Sequence, residues 1–207
     1  MKHVLFLLLS ITLLAPTAFG QKRKRETVDV PSASDIGCIY KPMYSPSNRL
    51  HFYPFDVADS IKLVSFRHHV QNYPMKGHTV VKDSLIETVV LKKNEVDLLT
   101  DILFNNFYKT KTKVRVITQC YEPRNAILFI DKKGILRDYI LICFHCDRYD
   151  LGSNQLKDIG DECYGKTEKL RTFFKEKGLL FGTDMSVNSY PGETNKDPGI
   201  PSALENN

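Results

Sequence analysis

From Cys120 to Cys146 the chain reads CYEPRNAILFIDKKGILRDYILICFHC. Two apolar runs, Ala126–Ile130 and Ile135–Ile142, flank the charged segment Asp131-Lys132-Lys133-Gly134. Apolar runs of this length, divided by turn residues, predict a β-hairpin over about residues 126–142. Gly134 suits the left-handed backbone position at the end of such a turn. Both strands are apolar on more than one face, which places the hairpin in the middle of a sheet. If Asp131 opposes Gly134, Cys120 falls across from His145, and Cys143 is its diagonal neighbour on the same face. Cys146 faces the other side or turns over where the strand ends. Three cysteines therefore gather at the open end of the hairpin.

The neighbouring segments supply the rest of the sheet and two helices. Ile61–Phe66 alternates apolar and polar, Thr79–Val81 suits a short strand, and Leu85–Leu91 is rich in β-branched residues. Lys111–Thr118 alternates as a further strand. Val96, Leu99, Leu103 and Phe107, widened by Ile102, form one helical stripe, and Asn94 is placed as the N-cap of a helix over about 95–107. A second helix is expected over about 162–177, followed by Gly178. On it Cys163, Thr167, Leu170 and Phe174 share a face with Phe173, which turns Cys163 inward. Residues 67–77 and 147–161 read as loops. The expected fold is α+β, with a mainly antiparallel sheet, a central hairpin and two packing helices.

Around this domain, expected at 50–181, lie three other segments. Residues 1–20 have Lys2-His3, an apolar run from Val4 to Leu14 and small residues at Ala18 and Gly20, the pattern of a cleaved secretory signal peptide. Pro16 interrupts the run before it is long enough to span a bilayer, and no later run is long enough. Residues 21–49 read as an extended, proline-containing arm that opens with Lys22-Arg23-Lys24-Arg25. Residues 182–207 hold three prolines and few large apolar residues and read as a disordered tail. The formal net charge is +5. It is not arranged as a basic stripe with interleaved aromatics, which argues against nucleic-acid binding. The expected location is the periplasm, the outer surface or the medium.

The five cysteines are Cys38, Cys120, Cys143, Cys146 and Cys163. In an oxidising compartment paired cysteines become disulfides, and an odd count leaves one over. The leading expectation is a structural cluster: Cys120 bridged to Cys143 or Cys146, and Cys163 to another, with Cys38 left over. A structural zinc site is the second reading. Cys143-x-x-Cys146 has half-site spacing, Cys120 and Cys163 would complete it, and His145 is a substitute ligand. Thiol-redox catalysis by Cys143-Phe144-His145-Cys146 is the third. Haem attachment needs a histidine where Asp147 stands and is excluded. Arg124 is expected at the rim of the cluster, as an ion-pair partner or an anion contact. His68, His69 and His78 read as surface loop residues. No nucleophile elbow, phosphate-cradling loop or dinucleotide fingerprint is found. The leading function is therefore an exported non-enzymatic protein, and the alternative is an exported thiol-redox or metal-dependent enzyme.

The unit Cys120-Tyr121-x-Pro123-Arg124-x-Ala126-Ile127, a Gly134 turn and Ile142-Cys143-Phe144-x-Cys146, preceded by the helix from Asn94 to Phe107, resembles a group of uncharacterised exported proteins from Bacteroidetes-type bacteria. The resemblance runs over residues 85–180. It implies export and a fixed cysteine-bearing unit, and it implies no catalysis.

Overall fold

The computed structural model describes residues 37–67, 73–109, 121–159 and 162–184. Residues 1–20, most of the arm and of the tail, His68, His69, the segment 111–118 expected as a strand and Cys120 lie outside these. The described chain is α+β, with a five-stranded antiparallel sheet, two smaller two-stranded sheets and three α-helices.

The large sheet consists of β2 (Ser60–Phe66), β5 (Leu85–Val90), β7 (Asn125–Ile130), β8 (Leu136–Cys143) and β9 (Arg148–Leu151), in the order β5-β2-β7-β8-β9. The β7–β8 hairpin is the one expected, and β7 is the middle strand with all six residues buried. Its continuous apolar run follows from this, since both faces of a central strand are covered.

The register differs from the expected one. Asp131 opposes Ile135 through its N–H, 3.0 Å from that carbonyl, and Gly134 takes φ 80° in a three-residue loop. The Asp131 carboxylate accepts from the N–H groups of Lys133 and Ile135 and locks the turn. The register then slips between Phe129 and Ile130, so that Phe129 faces Asp138 while Ile130 faces Leu136. Arg137 is the extra residue of this β-bulge. Its carbonyl is taken up by the Tyr53 hydroxyl, 3.2 Å away. The bulge carries Asn125 opposite Ile142 and Cys143 opposite Arg148 of β9.

The expected loop over 147–161 in fact contains β9 and a short 3₁₀ turn, Asn154–Asp158. Tyr149 and Leu151 alternate with Arg148 and Asp150, a period of two short enough to be masked by its polar half.

One face of the sheet carries the main core. Leu63, Ile127, Phe129, Ile140, Ile142 and Phe144 pack there against α2 (Lys93–Phe104) and α3 (Lys166–Glu176). The opposite face buries Val64, Phe66, Ala126, Leu128 and Leu141, partly under the small hairpin of β3 (Met75–Lys76) and β4 (Thr79–Val80). That hairpin is joined to β8 by the Leu136 N–H bond to the His78 carbonyl, 2.9 Å.

Helix α2 starts earlier than expected and ends earlier too. Its N-cap is Lys92, whose N–H is held by the Glu95 carboxylate at 2.8 Å. The helix stops at Phe104 because Asn106 folds its amide back onto the Ile102 carbonyl, 3.0 Å. Phe107 therefore lies in β6 (Asn106–Tyr108), which pairs with β1 (Cys38–Tyr40). The buried Lys166 donates to the Leu103 carbonyl at 2.9 Å, a cation at the negative end of α2.

Helix α3 begins at Lys166 after Gly165, four residues later than expected. It ends as expected before Gly178: Leu179 N–H bonds the Phe174 carbonyl and Gly178 N–H the Lys175 carbonyl, both in a Schellman arrangement.

The end of the arm is folded rather than extended. α1 (Pro46–Arg49) is capped by the Ser45 hydroxyl and lies on α2. Arg49, only 4 % exposed, bonds the Thr100 hydroxyl, the Tyr44 carbonyl and the Asp97 and Asp101 carboxylates. Thr100, Asp97 and Asp101 are polar residues of α2 outside its apolar stripe, and Arg49 covers them. Among the described residues no helix is long and apolar enough to cross a membrane.

Candidate functional site

The cysteines do not form one four-thiol cluster. Cys38 and Cys163 form a disulfide, with sulfurs 1.99 Å apart and Cα atoms 5.0 Å apart. Cys38 is thus a bridge partner rather than the residue left over, and Cys163 is not a ligand alongside Cys143 and Cys146. The bridge fastens β1 to the segment ahead of α3, and the Cys38 N–H bond to the Tyr164 carbonyl at 3.1 Å runs beside it. The expectation placed Cys163 on α3 and folded it over the hairpin end. Because the helix begins at Lys166, three residues after Cys163, that cysteine instead lies where the arm crosses.

Strand alternation separates the thiols further. Ile140, Ile142 and Phe144 point to the helical face, and Phe144 meets Phe174 edge-on at 5.3 Å. Leu141 points to the opposite face, and the period of two puts Cys143 on that same face. The face holding Cys143 is therefore turned away from α3.

Cys143 and Cys146 stand together at the turn from β8 to β9. Cys143 pairs with Arg148, leaving Phe144, His145, Cys146 and Asp147 as the loop. The Cys146 N–H reaches the Cys143 carbonyl at 3.2 Å, and Asp147 closes the turn with φ 49°. The two Sγ atoms are 2.7 Å apart. Both residues are buried, at 2 % and 4 % exposed, whereas His145 between them faces solvent.

The turn is held from both sides. On the helical side the Arg171 guanidinium of α3 donates to the Phe144 carbonyl and pairs with Glu168 at 2.9 Å. On the other side Arg148 is clamped by the Asp150 carboxylate, at 2.9 and 3.1 Å, and lies 4.3 Å from the centre of the Tyr121 ring. Burial, with the Asp150 charge adding to it, pushes the Tyr121 hydroxyl well above its ordinary value, so it is a neutral phenol at every physiological pH.

This arrangement has definite chemical consequences. Activated redox thiols of Cys-x-x-Cys type rely on a helix N-terminus and on exposure. Here the pair sits in a β-turn with no helix start at either cysteine, and its sulfurs are covered. Among the described residues no three His, Cys, Asp or Glu side chains are grouped to hold a metal ion.

Arg124, expected at the rim as an ion-pair partner or an anion contact, has its guanidinium 3.5 Å from Glu122 and 5.9 Å from the centre of the Phe181 ring, and its backbone N–H bonds the Ile142 carbonyl at 3.3 Å, one residue before Cys143. His78 Nδ1 is 3.0 Å from the Leu136 carbonyl, a bond that ties the small hairpin to β8.

A second polar group was not singled out from the sequence. Asp138, 4 % exposed, is bonded by the Ser153 hydroxyl and by the Tyr139 N–H at 2.8 Å. Burial, with the nearby Asp138 carboxylate adding to it, pushes the Tyr53 hydroxyl up to about 12. Gly152 passes so close that a Cβ there would lie 2.4 Å from Asp138 Oδ1. The group fastens the bulge of β8 to the loop after β9. Its only sequence signal is a lone acid in an apolar strand.

Comparison of the chain with protein-family models, with curated proteins and with solved structures returns no match.

Proposed function

We propose that the chain is an exported, non-enzymatic protein whose cysteines are structural fastenings. The observation that carries this reading is the burial of the Cys143–Cys146 pair inside a β-turn, at 2 % and 4 % exposed. A thiol-redox enzyme must present a thiolate to its partner disulfide. A pair packed in this way offers none. The Cys38–Cys163 bridge supports the same reading, because it joins segments 125 residues apart. Disulfides persist in oxidising compartments, which agrees with the signal-like residues 1–20 and with the periplasm, outer surface or medium as destination.

Two measurements test the reading. N-terminal sequencing of the protein recovered from an exporting host is expected to begin at Gln21. A chain retained in the cytoplasm with Met1 intact counts against export. Incubation of the folded protein with a model disulfide substrate and glutathione is expected to give no turnover. Catalysed exchange that disappears in Cys143→Ala would establish the rival thiol-redox enzyme instead.

A further inference from the structure

We infer that Cys143 and Cys146 close a second disulfide across the β8–β9 turn, which leaves Cys120 as the odd thiol of the chain. The inference deepens the structural reading above by fixing which chemistry the turn uses.

Distance decides between bond and metal. Two thiolates on one tetrahedral zinc, each about 2.3 Å from it, stand about 3.8 Å apart. A disulfide needs about 2.05 Å. The Sγ atoms of Cys143 and Cys146 are 2.7 Å apart, closer to the bond than to the zinc-bridged spacing by roughly 0.4 Å. Nothing in the backbone has to move far to close the gap. The Cys146 N–H to Cys143 carbonyl bond, 3.2 Å, defines a four-residue turn, and the ends of such a turn have Cα atoms within about 7 Å. Disulfides take Cα separations of about 4.4–6.8 Å.

The surroundings match a closed bridge. The turn is anchored on one side by Arg171 on the Phe144 carbonyl and on the other by the pairing of Cys143 with Arg148. A disulfide adds no charge to this buried site, whereas a pair of thiolates would add two. Counting completes the argument. Of five cysteines, Cys38 and Cys163 are bonded to each other, and closure of Cys143 to Cys146 leaves Cys120.

Closure is an oxidation and needs an acceptor. The two thiols lose two protons and two electrons. A disulfide of the oxidising compartment, small-molecule or protein, takes them up as two thiols through a mixed disulfide with one of the pair. Burial of both cysteines places this exchange before the turn packs, and afterwards the bond is shielded from reductant.

The test is peptide mapping of exported full-length protein, unfolded in alkylating reagent without reductant, then digested. The expected result is one alkylated residue, Cys120, together with a Cys143–Cys146 loop peptide. Folded protein in millimolar reduced glutathione is expected to keep that loop for hours. A Cys120–Cys143 or Cys120–Cys146 bridge overturns the inference. So does alkylation of both Cys143 and Cys146, or one equivalent of zinc retained through gel filtration. These three outcomes leave the non-enzymatic reading standing, because each still makes the site structural or inert. Rapid native exchange of the loop with glutathione supports closure of the bond and overturns the non-enzymatic reading instead. A Cys143→Ala/Cys146→Ala variant supplies a second arm: its melting temperature is expected to fall by only a few degrees, since the closed loop is short, and a fall as large as that of the Cys38→Ala/Cys163→Ala variant contradicts the inference.

Discussion

Opening the Cys38–Cys163 bridge is the perturbation whose size follows most directly from the topology. The bridge spans 125 residues of sequence. In the chain-entropy account, a cross-link over a loop of that length removes about 5 kcal/mol of unfolded-state freedom. For a domain of this size a loss of 1 kcal/mol lowers the melting temperature by about 2–4 °C. The variant Cys38→Ala/Cys163→Ala is therefore expected to melt about 10–20 °C below the parent. Alanine is chosen because Cys163 is 3 % exposed, and a serine hydroxyl there would add an unrelated burial cost. Local release sets the lower bound. β1 has only three residues, with Ile39 and Tyr40 partly exposed, so it can detach from β6 without unfolding the sheet. The assay is thermal and urea denaturation followed by circular dichroism, with closure of the bridge in the parent established by mass. A drop below about 2 °C with the parent bridge closed would refute the account, because the bridge would then constrain only a segment that frays in both proteins.

Three other substitutions probe the polar contacts that position the core. Arg49→Met should cost about 2–4 kcal/mol in urea denaturation, since it strips the Thr100 hydroxyl, the Tyr44 carbonyl and two carboxylates of a shared buried partner; a neutral result would mean that α1 contributes nothing to stability. Lys166→Met should cost about 1–3 kcal/mol by leaving the Leu103 carbonyl unbonded inside the domain, read as a lower urea midpoint at unchanged slope. The Glu95 carboxylate is held below its ordinary value of 4.5, first by the Lys92 N–H and then by the Lys177 ammonium. A depressed folded value means that the unfolded state binds the proton first as pH falls. The contribution of Glu95 is thus complete above pH 4.5 and lost as pH falls through the lower folded value. Glu95→Gln should therefore lie below the parent in stability at neutral pH and converge with it in acid; a constant gap across pH would remove the electrostatic explanation.

What residues 120–146 determined by themselves was the hairpin and its place in the middle of a sheet. Local chemistry suffices for this: a run of apolar residues covered on both faces, and a glycine free to take φ 80° at Gly134. The two long helices were legible for the same reason, as amphipathic stripes with a Schellman stop at Gly178. Their starts were not. Side-chain bonds set the limits of α2, two of them local, Glu95 on Lys92 and Asn106 on Ile102, and two from residues remote in sequence, Lys177 on Glu95 and Lys166 on Leu103. Strand β9 was hidden because it is an edge strand with half its residues polar.

The cysteine pairing belongs wholly to tertiary structure. Spacing put Cys143 and Cys146 three residues apart, and a helix start or a β-turn both satisfy that spacing. The Cys143–Arg148 pairing made it a turn. The bulge at Arg137 moved the register by which Cys120 had been set opposite His145, and alternation then turned Cys143 away from α3. The partner of Cys163 was decided by where the arm runs, which no local pattern encodes: a disulfide forms between whichever sulfurs the packed chain brings together, and Cys38 arrives from 125 residues away.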